Sequence, residues 1–198
     1  MTIKPQAPAT DRNRFAILEV LKVEFEHSHS VLEIGSGTGQ HAVFFGHEMP
    51  WLQWQTSDRL ENHGGISAWL ADSSLENVSR PLDLDVELVE RLPSVYDAVF
   101  SANTAHIMSF AAVQCMFRLV GRCLSDEGRF CLYGPFNLNG EFTSESNKAF
   151  DESLKSQNPL MGIRELETLH RLASDNGLAH SRSYAMPANN MLIVWSRV

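Results

Sequence analysis

Three glycines set two residues apart, Gly35, Gly37 and Gly39, follow the apolar run Val31-Leu32-Glu33-Ile34. Beyond the last glycine the pattern turns helical through Ala42, Val43, Phe44 and Phe45. This order reads as a buried strand, a tight loop and a helix start. Glycine admits positive φ and lets a ligand lie against bare backbone. The first turn of a helix offers unpaired N–H groups at the positive end of its dipole. A loop of this kind, including Ser36 and Thr38, suits a nucleotide-like ligand that carries a carboxylate or phosphate.

Further candidates follow apolar runs. Asp58 closes the next strand, where it also reads as a helix cap. Asp85 follows a third strand, with Asp83 its rival because Leu82-Asp83-Leu84-Asp85 alternates, and it equally reads as a solvated carboxylate. Asn103 and His106 lie just past a fourth strand, where ligands of open α/β sheets bind. His106 is the best general-base candidate, since an imidazole with a pKa near 6.5 transfers protons at neutral pH; a capping or packing histidine is the competing reading. Tyr133 and Asn137 leave a fifth strand at the same edge, with Phe136 as a wall. His27 and His29 show no third metal ligand, and His41 and His47 read as helix-surface histidines. A Gly-x-Ser-x-Gly elbow is absent.

The elements that position these groups follow from periodicity. Residues 1–9, with Pro5 and Pro8, read as extended or mobile. Thr10 or Asp11 caps a helix through about Phe25. Strands are expected at Ser30–Ile34, Leu52–Ser57, Arg80–Leu84, Tyr96–Ser101 and Gly128–Tyr133. The polar alternation of Leu52–Ser57 makes it the less deeply buried strand, and Pro81 places Arg80–Leu84 near an edge. Helices are expected from Gly39 to His47, from Phe110 to Leu124 and from Arg164 to Ser174, with a polar loop and surface helix over Glu141–Asn158. His180–Ala185 and Met191–Val198 read as a hairpin around Pro187-Ala188-Asn189-Asn190. Strands alternating with helices imply a doubly wound, mainly parallel α/β sheet, seven-stranded once the antiparallel hairpin joins its edge.

The 198 residues favour one domain. A net charge of −8 argues against a broad nucleic-acid footprint, and no apolar run is long enough to span a bilayer. The polar, proline-bearing start lacks the apolar core of a secretory signal, so a cytoplasmic location is expected. Cys115, Cys123 and Cys131 form no Cys-x-x-Cys pair and read as buried thiols.

With this order of elements, Glu33-Ile34-Gly35-Ser36-Gly37-Thr38-Gly39 resembles the acidic-x-G-x-G-x-G signature of class I S-adenosylmethionine-dependent methyltransferases, whose fold is Rossmann-like. Arg12-Asn13, Ser101-Ala102-Asn103-Thr104-Ala105-His106-Ile107 and Tyr133-Gly134-Pro135-Phe136-Asn137 look more narrowly like the methyltransferase-like 26 proteins, a family without a known acceptor. Nicotinamide dehydrogenases place the third glycine one residue later, where this chain has Gln40.

The resemblance implies S-adenosyl-L-methionine as cofactor. Gly35, Gly37 and Gly39 would lie under its methionine part, with Glu33 ordering the loop from behind. Asp58 would take the ribose hydroxyls, Asp85 the adenine amino group, and Val86 would pack by the ring. Asn103 would stand where methionine and acceptor meet. Arg12 and Asn13 would reach the cofactor if the first helix closes as a lid. His106, Tyr133 and Asn137 are the expected catalytic side, acting on a small-molecule acceptor; binding without turnover, or a protein or RNA acceptor, are the alternatives.

Overall fold

The computed structural model describes residues 4–198. Helix α1 (Pro8–Glu24) leads into β1 (Ser30–Ile34), α2 (Gln40–Glu48), β2 (Gln53–Asp58), a 3-10 turn (Leu60–Asn62), α3 (His63–Ser73), β3 (Val78–Asp83) and β4 (Tyr96–Ala102). Then come α4 (Phe110–Cys123), β5 (Leu124–Gly134), β6 (Phe136–Asn137), α5 (Glu145–Gln157), β7 (Arg164–Glu165), α6 (Leu166–Asp175), β8 (Leu178–Met186) and β9 (Asn190–Arg197). The main sheet has the order β3-β2-β1-β4-β5-β9-β8. Its first five strands are parallel, and β9 and β8 add antiparallel at one edge. This is the expected seven-stranded Rossmann-like sheet.

Alternation of side chains divides the core into two layers. Leu32, Ile34, Val99, Phe130, Leu132, Ile193 and Trp195 face α4 and α6. Val31, Ala98, Phe100, Cys131, Tyr133, Leu192 and Val194 face α1 and α2. Glu33 therefore shares the second face, beneath Trp54.

Several boundaries differ from expectation. Helix α1 begins at Pro8, so Thr10 lies inside it; Ala7 stands at the cap and proline occupies the first turn, where its missing N–H costs nothing. Strand β2 is buried from Thr56 to Asp58, and Trp54 is also fully buried. Its polar groups are paired: the Trp54 indole donates to Glu33, Thr56 Oγ1 to the Ser79 carbonyl and Ser57 Oγ to the Glu33 carbonyl. Arg164 is not helical but lies in β7, paired with Phe136 of β6 in a two-stranded sheet that the sequence does not announce. Cys123 and Cys131 are buried, whereas Cys115 is half-buried. Burial pushes the Cys123 thiol up to about 12. Among the described residues no helix is long and apolar enough to cross a membrane.

Candidate functional site

The glycine loop crosses the carboxyl edge of β1. Gly35, Gly37 and Gly39 have φ of +76°, +56° and +87°, where glycine is the residue of choice. The Gly35 and Ser36 amides both donate to the Ser57 carbonyl, at 3.0 and 2.9 Å, which binds the loop to the end of β2. A Cβ on Gly35 would stand 2.5 Å from Thr104 Cγ2, and one on Gly39 3.0 Å from Ile66 Cα. One on Gly37 would meet nothing within 4 Å. The loop is thus packed at both ends and open in its middle.

Beneath it, Ser36 Oγ donates to Glu33 Oε2 at 2.8 Å and the Trp54 indole donates to the same oxygen at 3.1 Å. Ser36 accordingly points into the protein and acts on the loop through Glu33. Burial raises the Glu33 carboxyl to about 7 against these two hydrogen bonds, with the Asp58 charge a further push upward. Thr38 Oγ1 donates to Gln40 Oε1 at 3.0 Å, half-buried at the start of α2.

Asp58 faces the loop. Its Oδ2 accepts from the Gly37 amide at 2.7 Å, and its Oδ1 accepts from the Arg59 amide and Asn62 Nδ2, each at 2.8 Å. A carboxylate has about four acceptor positions; three are filled, and one on Oδ2 is left. Next along the edge, the Leu84 amide donates to the Asp58 carbonyl at 2.9 Å. Asp85 is half-buried and caps the turn that follows by accepting from the Glu87 amide at 3.0 Å, while its rival Asp83 is exposed. Val86 is buried in the apolar layer toward α4.

The start of the described chain closes against the same region. The Pro5 carbonyl accepts from the Trp69 indole at 2.8 Å, and Pro5 fills the space beside Gly65. Lys4 lies over the Trp69 ring and pairs with Asp72. Gln40 Oε1 accepts from the Ala7 amide at 2.6 Å. Residues 4–7 are therefore docked across α3 and the head of α2; Met1–Ile3, part of the segment read as extended or mobile, lie outside the described residues. Asn13 is buried, with Oδ1 2.8 Å from His41 Nε2. His41 is not a surface histidine: it is buried, stacked on Phe45, and held neutral by burial and by Arg14, its pKa lowered to about 3. Tyr133 lies on this face; burial is the larger influence and raises its pKa, against the opposing effect of Asn13. Arg12 is exposed.

At the carboxyl end of β4, Asn103 holds φ +61° and donates its amide to the Tyr133 carbonyl at 2.9 Å. Asparagine tolerates this region best after glycine, and non-glycine residues there concentrate at ligand sites. Thr104 supports Gly35 and its hydroxyl bonds Ser101 at 2.6 Å. His106 is 6% exposed, 3.7 Å by Nδ1 from the Cβ position of Gly134, with the Phe150 ring edge-on at 5.2 Å. Burial, then the Arg164 charge, lowers its pKa to about 4. Asn137 is 7% exposed, and its Oδ1 has no hydrogen-bond partner among the described residues.

The structure thus gathers the glycines, Glu33 and Asp58 in one constellation, and Asn13, His41 and Tyr133 in another. His106 stands with Gly134 and Phe150, not with Tyr133. Gln40, Asn62, Thr104 and Arg164 carry contacts that sequence reasoning missed; only Gln40, adjacent to the last glycine, offered a signal.

Residues 4–197 match the family described as "Protein of unknown function (DUF938)". The chain belongs to that family. Solved structures share its fold at low identity. The S-adenosylmethionine-dependent methyltransferase SibL superposes with TM-score 0.80 at 20% identity, covering 96% of this chain and 55% of that one. An O-methyltransferase family protein from Burkholderia thailandensis gives 0.81 at 14%, covering 96% and 57%. An O-methyltransferase family 2 protein from Planctomyces limnophilus, in complex with apigenin, gives 0.82 at 13%, covering 94% and 56%. This DUF938 chain spans a little over half the length of those proteins.

Proposed function

We propose that the protein binds S-adenosyl-L-methionine at the glycine loop and transfers its methyl group to a small-molecule acceptor. One observation carries this reading: in a loop packed at both ends, exposed Gly37 leaves an open backbone face directly beside the Asp58 carboxylate. That surface fits a zwitterionic amino acid joined to a ribose. Gly35, Gly37 and Gly39 would line the methionine part, with Glu33, Ser36 and Thr38 holding the loop's shape. Asp58 would accept a ribose hydroxyl on its remaining lone pair. Asp85 would meet the adenine amino group and Val86 would flank the ring; if α1 closes as a lid, Arg12 and Asn13 would fold over the cofactor, Arg12 toward its carboxylate.

When bound, the cofactor supplies a methyl group already activated on a sulfonium, so the protein's work is alignment and exclusion of water. Asn103 stands between the loop side and the acceptor side. His106, kept neutral by its surroundings, would take the proton of an acceptor hydroxyl on a ring nitrogen. The carboxamide of Asn137 would orient the acceptor; an unmet buried oxygen costs about 1–3 kcal/mol, which a donor on the acceptor would relieve. Tyr133 would act from the Asn13 side.

The acidic balance of the chain supports a small molecule over RNA, as does the apigenin complex of the Planctomyces limnophilus protein. The likeness to the methyltransferase-like 26 proteins belongs to the same reading. The burial of His106 favours one alternative, binding without turnover. Incubation with methyl-labelled S-adenosylmethionine and a metabolite extract separates them: label transferred by the wild type and lost in His106→Ala supports the first, and no transfer to any fraction overturns it.

A further inference from the structure

We propose that Arg164 is the positioning residue of the acceptor side, clamping the turn that carries His106 to the wall formed by α5 and β7. The inference rests on the proposed role of His106 as the base.

Arg164 lies 58 residues beyond His106 in sequence, yet all its hydrogen bonds serve the histidine's turn and that wall. Its Nε donates to the Ala105 carbonyl at 2.9 Å, and one terminal nitrogen donates to the carbonyls of Met108 and of Leu160. The turn needs this. Ile107 and Met108 both donate their amides to the Thr104 carbonyl, and α4 starts only at Phe110. The carbonyls of Ala105 and Met108 therefore take their hydrogen bonds from the guanidinium. A planar fork reaches several carbonyls in one geometry, which a lysine ammonium does not.

The clamp is one of several ties. The Gly162 amide donates to the His106 carbonyl at 2.9 Å, and the Ile163 amide donates to Asp151 Oδ1 at 2.8 Å. Pairing of β7 with β6 brings Phe136 and Asn137 beside Arg164 and Glu165. Arg164 makes no ion pair with a carboxylate among the described residues, so its charge acts on its surroundings uncancelled by direct contact. The charge that acts on the His106 ring is that of Arg164; Asp151 on α5 acts in turn on Arg164, and residues 103–108 contribute no other titratable side chain. The Arg164 charge and burial act together to disfavour protonation of the imidazole.

Two substitutions separate the fork from the charge. Arg164→Lys keeps the charge and loses the fork; Arg164→Met loses both. Ring signals of His106 in ¹⁵N-labelled protein, assigned by their absence in His106→Asn, are followed against pH with S-adenosylhomocysteine present. In the wild type the ring is expected to stay neutral down to about pH 4, with a nuclear Overhauser contact to Phe150. Both variants should lose that contact. The titration midpoint should move upward in Arg164→Met, short of 6.5 because burial is the larger cause, and move little in Arg164→Lys.

A further measurement needs only the wild type: the Arg164 Nε–H should exchange with solvent far more slowly than that of exposed Arg12. Equal exchange, or an unchanged His106 contact and midpoint in both variants, would overturn the clamp. Stabilisation by S-adenosylhomocysteine should be the same in wild type and Arg164→Lys. Loss of transfer in His106→Ala tests the base role apart from the clamp, so each can fail alone.

Discussion

Asp58 Oδ2 and the Gly37 amide lie 2.7 Å apart, joining the end of β2 to the open middle of the glycine loop. The acidic residue thus shapes the loop, and in the proposed function it is the acceptor of a ribose hydroxyl. Asp58→Ala should weaken S-adenosylhomocysteine binding by about 1–3 kcal/mol, the cost of leaving polar partners unmet. Unchanged affinity in a calorimetric titration would remove Asp58 from the site.

The loop glycines should respond differently to alanine. In Gly35→Ala the new methyl meets Thr104 at 2.5 Å in a backbone with φ of +76°, so the fold should lose about 2–4 kcal/mol. Gly37→Ala meets nothing and should carry only the left-handed backbone cost of about 1–2 kcal/mol. Its methyl would occupy the open face, so ligand affinity should fall although the fold persists. Thermal melting with and without S-adenosylhomocysteine reads both effects; equal melting temperatures for the two variants would contradict this packing.

Three buried groups contribute opposing slopes to the pH dependence of stability. Glu33 is raised to about 7 from 4.5, so its folded form binds more protons than its unfolded form, and stability falls as pH rises from about 4.5 through 7. His41 and His106 are lowered to about 3 and 4 from 6.5, so stability falls as pH drops from 6.5 toward those values. The slopes oppose one another. Glu33→Gln keeps an acceptor for Ser36 and Trp54 and removes one slope. Relative to wild type it should gain on the order of 1–3 kcal/mol between pH 5 and pH 8. Denaturant titrations at the two pH values test this; an equal difference at both would mean Glu33 does not titrate there.

Gln40 holds the N-terminal segment to the loop through the Ala7 amide and Thr38. Gln40→Ala should cost about 1–2 kcal/mol, lowering the melting temperature by roughly 2–8 °C for a chain of this size. Hydrogen exchange at the Ala7 amide should quicken as well. An Ala7 amide as protected as in wild type would show that the segment is held by α3 alone.

Much of the fold was legible because it rests on local patterns. The run before Gly35, the apolar stripe of Val113, Met116, Phe117 and Val120, and the continuous apolar run Met191–Trp195 of β9 each declare their element within a few residues. The glycines and Asp58 were legible for a related reason, as fixed positions at strand ends. What stayed hidden depends on contacts between distant segments. His41 resembles a surface residue until Asn13, 28 positions earlier, arrives to bond it. Arg164 has helical neighbours, and only pairing with Phe136, 28 positions earlier, draws it into β7. Strand β2 read as less deeply buried because its sequence gave no sign that Thr56 and Ser57 each had a carbonyl partner.

The central claim is that the glycine loop binds S-adenosylmethionine, and a calorimetric titration of the purified protein with S-adenosylhomocysteine tests it most directly. The account predicts saturable one-site binding that Asp58→Ala weakens, together with a melting temperature that climbs with ligand concentration by mass action. Absence of both heat and melting shift at millimolar ligand would contradict it.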